Sequence, residues 1–152
     1  MVREGKDWKI ISEGSTPPAG AELRKVQSTT LADAYVLRGR PSEPRALAPR
    51  NVALEIHPLA DPTAAGAKEK LPLEILYLGK PLAGALVTLF REAGFYDGRK
   101  SVGETVSGAD GRLSVTPPDA GRYLLLVRHR DSAPTGNAPY YSYTVTLAFE
   151  AM

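Results

Sequence analysis

From Tyr141 to Glu150 apolar and polar positions alternate without a break. Tyr141, Tyr143, Val145, Leu147 and Phe149 stand against Ser142, Thr144, Thr146, Ala148 and Glu150. Successive side chains of a strand point to opposite faces, so this pattern predicts a β-strand with one face in a core. The same two-residue period sets Val52, Leu54 and Ile56 against Ala53, Glu55 and His57. It recurs in Arg112–Thr116, where Leu113 and Val115 point one way. Apolar runs at Leu73–Leu78, Ala85–Phe90, Val102–Val106 and Tyr123–Val127 complete the series.

Turn chemistry separates these runs. Leu78-Gly79-Lys80-Pro81-Leu82-Ala83-Gly84 lies between two of them. Ala109-Asp110-Gly111 carries an Asp that bonds its own backbone and a Gly that accepts positive φ, so a hairpin pairing Val102–Val106 with Leu113–Thr116 is expected. Pro117-Pro118-Asp119-Ala120-Gly121 cannot continue a ladder, since two successive residues lack an N–H. Seven short strands at this spacing predict an all-β fold, an antiparallel sandwich of the Ig-like or transthyretin-like kind, preceded by a β/irregular extension.

The first fifty residues carry weaker signals. Trp8–Ile11 and Ala34–Leu37 read as short strands, Ser12–Gly20 as a polar loop and Glu43–Asn51 as a proline-bearing linker. A short helix fits only at Leu31–Leu37 or Thr63–Lys70. The expected organisation is an extension over residues 1–50 and a sandwich over 51–152.

Composition narrows the function classes. The 152 residues are 43% hydrophobic and 24% charged, which suits a folded chain and not a disordered one. A formal net charge of +2 is too small to argue for nucleic acid. With no cysteine there is no disulfide, no thiolate zinc site and no thiol nucleophile. No apolar run approaches the roughly 18 residues of a spanning helix, and Met1–Trp8 is charged and lacks the apolar core of a signal peptide. A leader removed from the chain, or lying outside it, is therefore expected if the protein is exported.

Candidate chemistry is sparse. His57 and Glu55 share a strand face at i and i+2, and an imidazole with a neighbouring carboxylate suits nickel, copper or zinc. His129 stands between Arg128 and Arg130, which repel a cation. Asp97, Asp110 and Asp119 lie in turns whose spacing matches no calcium loop. Arg38, Arg40, Arg45 and Arg50 form a basic cluster able to meet a phosphate or an acidic partner. Tyr140, Phe95 and Tyr96 fall in loops, where aromatic rings could meet a sugar or a protein; Tyr141 and Tyr143 are expected in the core. No nucleophile elbow or Ser-His-Asp set is readable, so the chain is not expected to be an enzyme.

One resemblance adds to this reading. Leu54-Glu55-Ile56-His57-Pro58-Leu59-Ala60-Asp61-Pro62 is followed by Leu78–Ala85, by Ser107-Gly108-Ala109-Asp110-Gly111-Arg112 and by Tyr140-Tyr141-Ser142-Tyr143 with Leu147-Ala148-Phe149. Over roughly Ala34–Phe149 this order resembles the DUF4198 family, also described as NikM-like periplasmic components of nickel or cobalt uptake. The resemblance implies an exported, periplasmic, non-catalytic binding or accessory module with an Ig-like sandwich. It also implies partners among membrane transport components, and nickel or cobalt as the metal. The alternative is a structural interaction domain that binds protein or glycan through its loops without metal.

Overall fold

A computed structural model describes residues 1–4, 7–9, 11–12, 14–39, 45–92, 101–131 and 139–152. The strands are β1 (Val2–Glu4), β2 (Asp7–Lys9), β3 (Glu22–Leu23), β4 (Val26–Ala34), β5 (Leu54–Pro58), β6 (Leu71–Tyr77), β7 (Lys80–Pro81), β8 (Leu86–Arg91), β9 (Ser101–Val106), β10 (Arg112–Val115), β11 (Gly121–Arg130) and β12 (Tyr140–Ala151). Among the described residues the helical content is two 3-10 turns, Arg45–Leu47 and Pro62–Ala64, so the chain is mostly β. No helix is long and apolar enough to cross a membrane.

The chain divides into two units, residues 1–29 with 130–142 and residues 30–129 with 143–152. In the first unit β1 is the central strand of a small antiparallel sheet in the order β2-β1-β3. Val2 is buried there. The Met1 ammonium donates to the Arg24 carbonyl at 2.7 Å and the Arg24 amide donates back to Met1 at 2.9 Å, tying both ends of this sheet.

The second unit is an antiparallel sandwich. One sheet has the order β10-β6-β5 with β7 paired to β6; the other has the order β4-β12-β11-β8-β9, to which this unit contributes the C-terminal parts of β4 and β12. Their inner positions merge in one core. Leu54 and Ile56 from β5, Leu71, Leu73 and Ile75 from β6, Val87 and Leu89 from β8, Tyr123, Leu125 and Val127 from β11, and Val145, Leu147 and Phe149 from β12 are all buried. At roughly 25 cal/mol per Å² of apolar surface removed from water, these alternating rows are the main source of stability.

The structure moves several expected elements. The hairpin between 102–106 and 113–116 does not form: β9 pairs with β8, and β10 pairs with β6 in the opposite sheet. The Asp-Gly turn reverses the chain across the sandwich. Ser107 anchors one side, its hydroxyl donating to the Leu82 carbonyl at 2.6 Å and accepting from the Ala85 amide at 2.9 Å. Gly111 anchors the other at φ +75, where an added Cβ would sit 2.8 Å from the Ile75 carbonyl oxygen. The strand expected at Ala34–Leu37 is displaced: β4 covers Val26–Ala34 and ends where that strand was to begin. Leu31–Ala34 is therefore strand, and within Thr63–Lys70 only Thr63 and Ala64 are helical, in the 3-10 turn opened by Asp61. Tyr141, expected inside, is exposed, whereas Tyr143 packs against the core.

β11 opens on a tyrosine corner. Tyr123 lies at its start, with its hydroxyl 2.9 Å from the Asp119 carbonyl and 2.5 Å from the Asp119 carboxylate. Such a corner fixes the entry of a strand in Ig-like sandwiches by bonding back a few residues upstream. Arg91 closes the arrangement with an ion pair to Asp119 at 2.9 Å.

Candidate functional site

The outward row of the smaller sheet determines what His57 and Glu55 can do. Glu55 is not on a wet face: it is 4% exposed. Asn51 and Ala53 adopt left-handed backbone, with φ of 59° and 50°. This turn brings the Arg50 and Asn51 amides onto the Glu55 carboxylate at 2.8 and 3.1 Å. Arg50 extends the cluster, its guanidinium gripping Asp33 through two bonds of 2.9 and 2.7 Å and reaching Glu55 at 3.5 Å. Asp33 raises the Arg50 pKa chiefly through that hydrogen bond, and burial followed by the Asp33 charge raises that of Tyr35. Glu55 thus holds the linker onto the sheet.

His57 finds a different carboxylate. It lies directly opposite Glu74 on β6, and its Nδ1 is 3.1 Å from Glu74 Oε2. Glu74 in turn stands opposite Arg112 of β10, at 4.0 Å. The row is therefore imidazole, carboxylate and guanidinium on three adjacent strands. Two of these groups are metal ligands in kind, but among the described residues no group of three His, Cys, Asp or Glu side chains is placed to hold an ion.

The remaining sequence candidates are dispersed. His129 stacks obliquely on Tyr77 with ring centroids 4.5 Å apart, and Tyr77 meets Tyr143 edge-on at 5.3 Å. His129 therefore belongs to an aromatic cluster continuing the core rows, which its position at the end of an apolar run could have indicated. Tyr140 begins β12 half-buried, its amide donating to Lys25 at 2.9 Å. Arg38 is exposed beyond the end of β4. Phe95, Tyr96, Asp97 and Arg40 lie outside the described residues.

A different surface stands out on the larger sheet. Along β11 the residues Leu124 and Leu126 point away from the core, although the five-residue run Tyr123–Val127 is apolar throughout. Strands covered on both faces show such runs. Leu124 is opposite Phe90 and Leu126 opposite Thr88; on the neighbouring strand Leu86 is opposite Val106. Leu86 and Val106 are both exposed. At one end of this face an open cleft of about 360 Å³ is lined by Phe90, Leu124 and Ala148 with Arg91, Glu92, Arg122 and Tyr123. Arg122 and Glu92 face each other at 3.5 Å with both side chains largely in solvent, so this contact opens at little cost.

Neither a curated protein nor a solved structure matches the chain. The model of DUF4198, a domain of unknown function, matches residues 1–131. That span includes β1–β11 and the His57–Glu74–Arg112 row, but not β12, whose Tyr140–Tyr143 and Leu147–Phe149 segments entered the resemblance. On a match over most of its length, the chain belongs to the DUF4198 family.

Proposed function

We propose that this chain is a non-catalytic accessory module of an exported, periplasmic system, and that it works by presenting a surface to a partner protein. The observation that carries this reading is the outer face of the five-stranded sheet, where Leu86 and Val106 are exposed beside Phe90, Leu124 and Leu126. A sandwich that meets only water on this face would be expected to alternate apolar with polar residues. Exposed Glu104, opposite Thr88, and the easily opened Arg122–Glu92 pair interrupt these apolar positions, and a mixture of apolar and polar groups is usual in a transient protein interface.

A second reading is favoured by the His57–Glu74 pair. An imidazole and a carboxylate 3.1 Å apart on adjacent strands supply half of a nickel or cobalt site, with metal as cargo. A thermal-unfolding scan with nickel and cobalt against a chelator separates the readings. The surface reading expects an unchanged midpoint. A rise that disappears in His57→Ala favours the metal reading, since a ligand at 100 times its dissociation constant adds about 2.7 kcal/mol to the folded state.

A further inference from the structure

The sandwich unit carries four exposed aliphatic side chains at one corner. Val36 is 89% exposed, Leu37 47%, Val52 57% and Leu78 58%. They come from three segments tied together by specific contacts. The Leu78 amide donates to the Ala53 carbonyl at 2.8 Å, joining the second and third segments. The two-bond Arg50–Asp33 pair, with Tyr35 close enough to feel the charges of Arg50 and Glu55, ties the chain just before Val36 to the chain just before Val52.

The backbone at this corner argues against a purely structural role for these side chains. Leu78 and Gly79 have φ of 51° and 76°, the two positive angles of the turn joining β6 to β7. Such turns favour Asn-Gly, because Asn tolerates left-handed backbone and a branched aliphatic chain does not. Leu78 accepts that strain, and with more than half of its side chain in water it regains little by burial. Val52 is presented in the same way, flanked by left-handed Asn51 and Ala53. Local stability therefore does not account for leucine at this position, whereas an apolar contact outside the chain does.

The charges specify that contact. Arg38 and Lys80 are exposed, each two residues or fewer from one of the aliphatic side chains. The carboxylates at the base, Asp33 and Glu55, are both engaged by Arg50. Protruding aliphatics with flanking cations match the interfacial zone of an anionic bilayer: aliphatic chains enter the acyl boundary and cations meet lipid phosphates. A protein socket would need a broad, fitted contact of about 800 Å² on this chain, while a bilayer accommodates four side chains projecting from separate loops. We infer that this corner docks the sandwich reversibly on an anionic membrane surface. The inference rests neither on His57 nor on the outer sheet face.

The test is cosedimentation of the full chain with vesicles of phosphatidylcholine, with and without phosphatidylglycerol. Retention is expected on the phosphatidylglycerol vesicles and is weakened by salt. Lys80→Gln should lower the partition coefficient about fivefold, the effect of one cation near an anionic surface. Leu78→Asn should lower it further while raising the thermal midpoint by about 3 °C, because the turn is relieved. Val52→Ser provides a second apolar deletion outside the turn. Absence of retention on the phosphatidylglycerol vesicles, or unchanged retention in Leu78→Asn and Val52→Ser, overturns the inference and leaves a protein contact as the reason for the exposed residues. A lower midpoint in Leu78→Asn overturns the argument from strain.

Discussion

The Tyr123 hydroxyl donates to the carboxylate of Asp119, 2.5 Å away and four residues upstream, while the Asp119 carbonyl lies 2.9 Å from the same oxygen. This contact sets the entry of β11, the strand whose inner residues Tyr123, Leu125 and Val127 fill the core and whose outer residues build the proposed docking face. Burial, and then the bond to Asp119, raise the Tyr123 pKa above its ordinary 10.0.

Tyr123→Phe should cost about 1 kcal/mol by urea unfolding at neutral pH, the net worth of one hydrogen bond. Its pH dependence is directional. The folded state keeps the phenol proton in the range where the unfolded chain begins to lose it, so stability is fully present below pH 10.0 and falls as pH rises through the folded value. The fall should be shallower in Tyr123→Phe. Equal slopes for the two proteins would remove Tyr123 as its cause.

Glu55→Ala should destabilise by about 2 kcal/mol, because it leaves the Arg50 and Asn51 amides, both in part-buried bonds, without their acceptor. Urea unfolding measures this directly. A loss below about 0.5 kcal/mol would mean that water replaces the carboxylate and that the linker is not held by it.

Gly111→Ala and Gly84→Ala separate conformational from steric cost. Both glycines have positive φ, 75° and 71°, but a Cβ at Gly84 meets nothing within 4 Å, whereas at Gly111 it meets the Ile75 carbonyl at 2.8 Å. Gly84→Ala should lose about 1 kcal/mol from backbone strain alone. Gly111→Ala should lose clearly more, because the crossing from β9 to β10 must also open. Equal losses would contradict the close approach.

Some of this was legible in the residues. The β12 alternation identified Val145, Leu147 and Phe149 as inner positions, and the two-residue period in β5 did the same for Leu54 and Ile56. Pairing was harder to read. Asp110-Gly111 specifies a reversal without naming the sheet that receives the next strand, and an arch between sheets leaves the same alternation on either side as a hairpin. β4 escaped because Val26–Ala34 is rich in Ser, Thr and Gln, as a largely exposed edge strand can be. The tyrosine corner was available in the spacing of Asp119 and Tyr123.

The candidate site was less legible for a related reason. His57 and Glu55 share a face, but which carboxylate His57 meets depends on the register of β5 against β6. Glu55 is claimed by amides five and four residues before it, and that requires two left-handed residues between, Asn51 and Ala53. The outer face of the larger sheet did leave a signal. The unbroken run Tyr123–Val127 is longer than one inner face requires, and Leu124 and Leu126 are its surplus.

The most direct test of the docking account is site-specific photocrosslinking in the native host. A benzophenone side chain is placed at Leu86 or Val106 on the outer sheet face, and at exposed Thr116 as a control. The account predicts one discrete protein adduct from both Leu86 and Val106 and none from Thr116. No adduct at the two face positions, or the same adducts at all three, would contradict it.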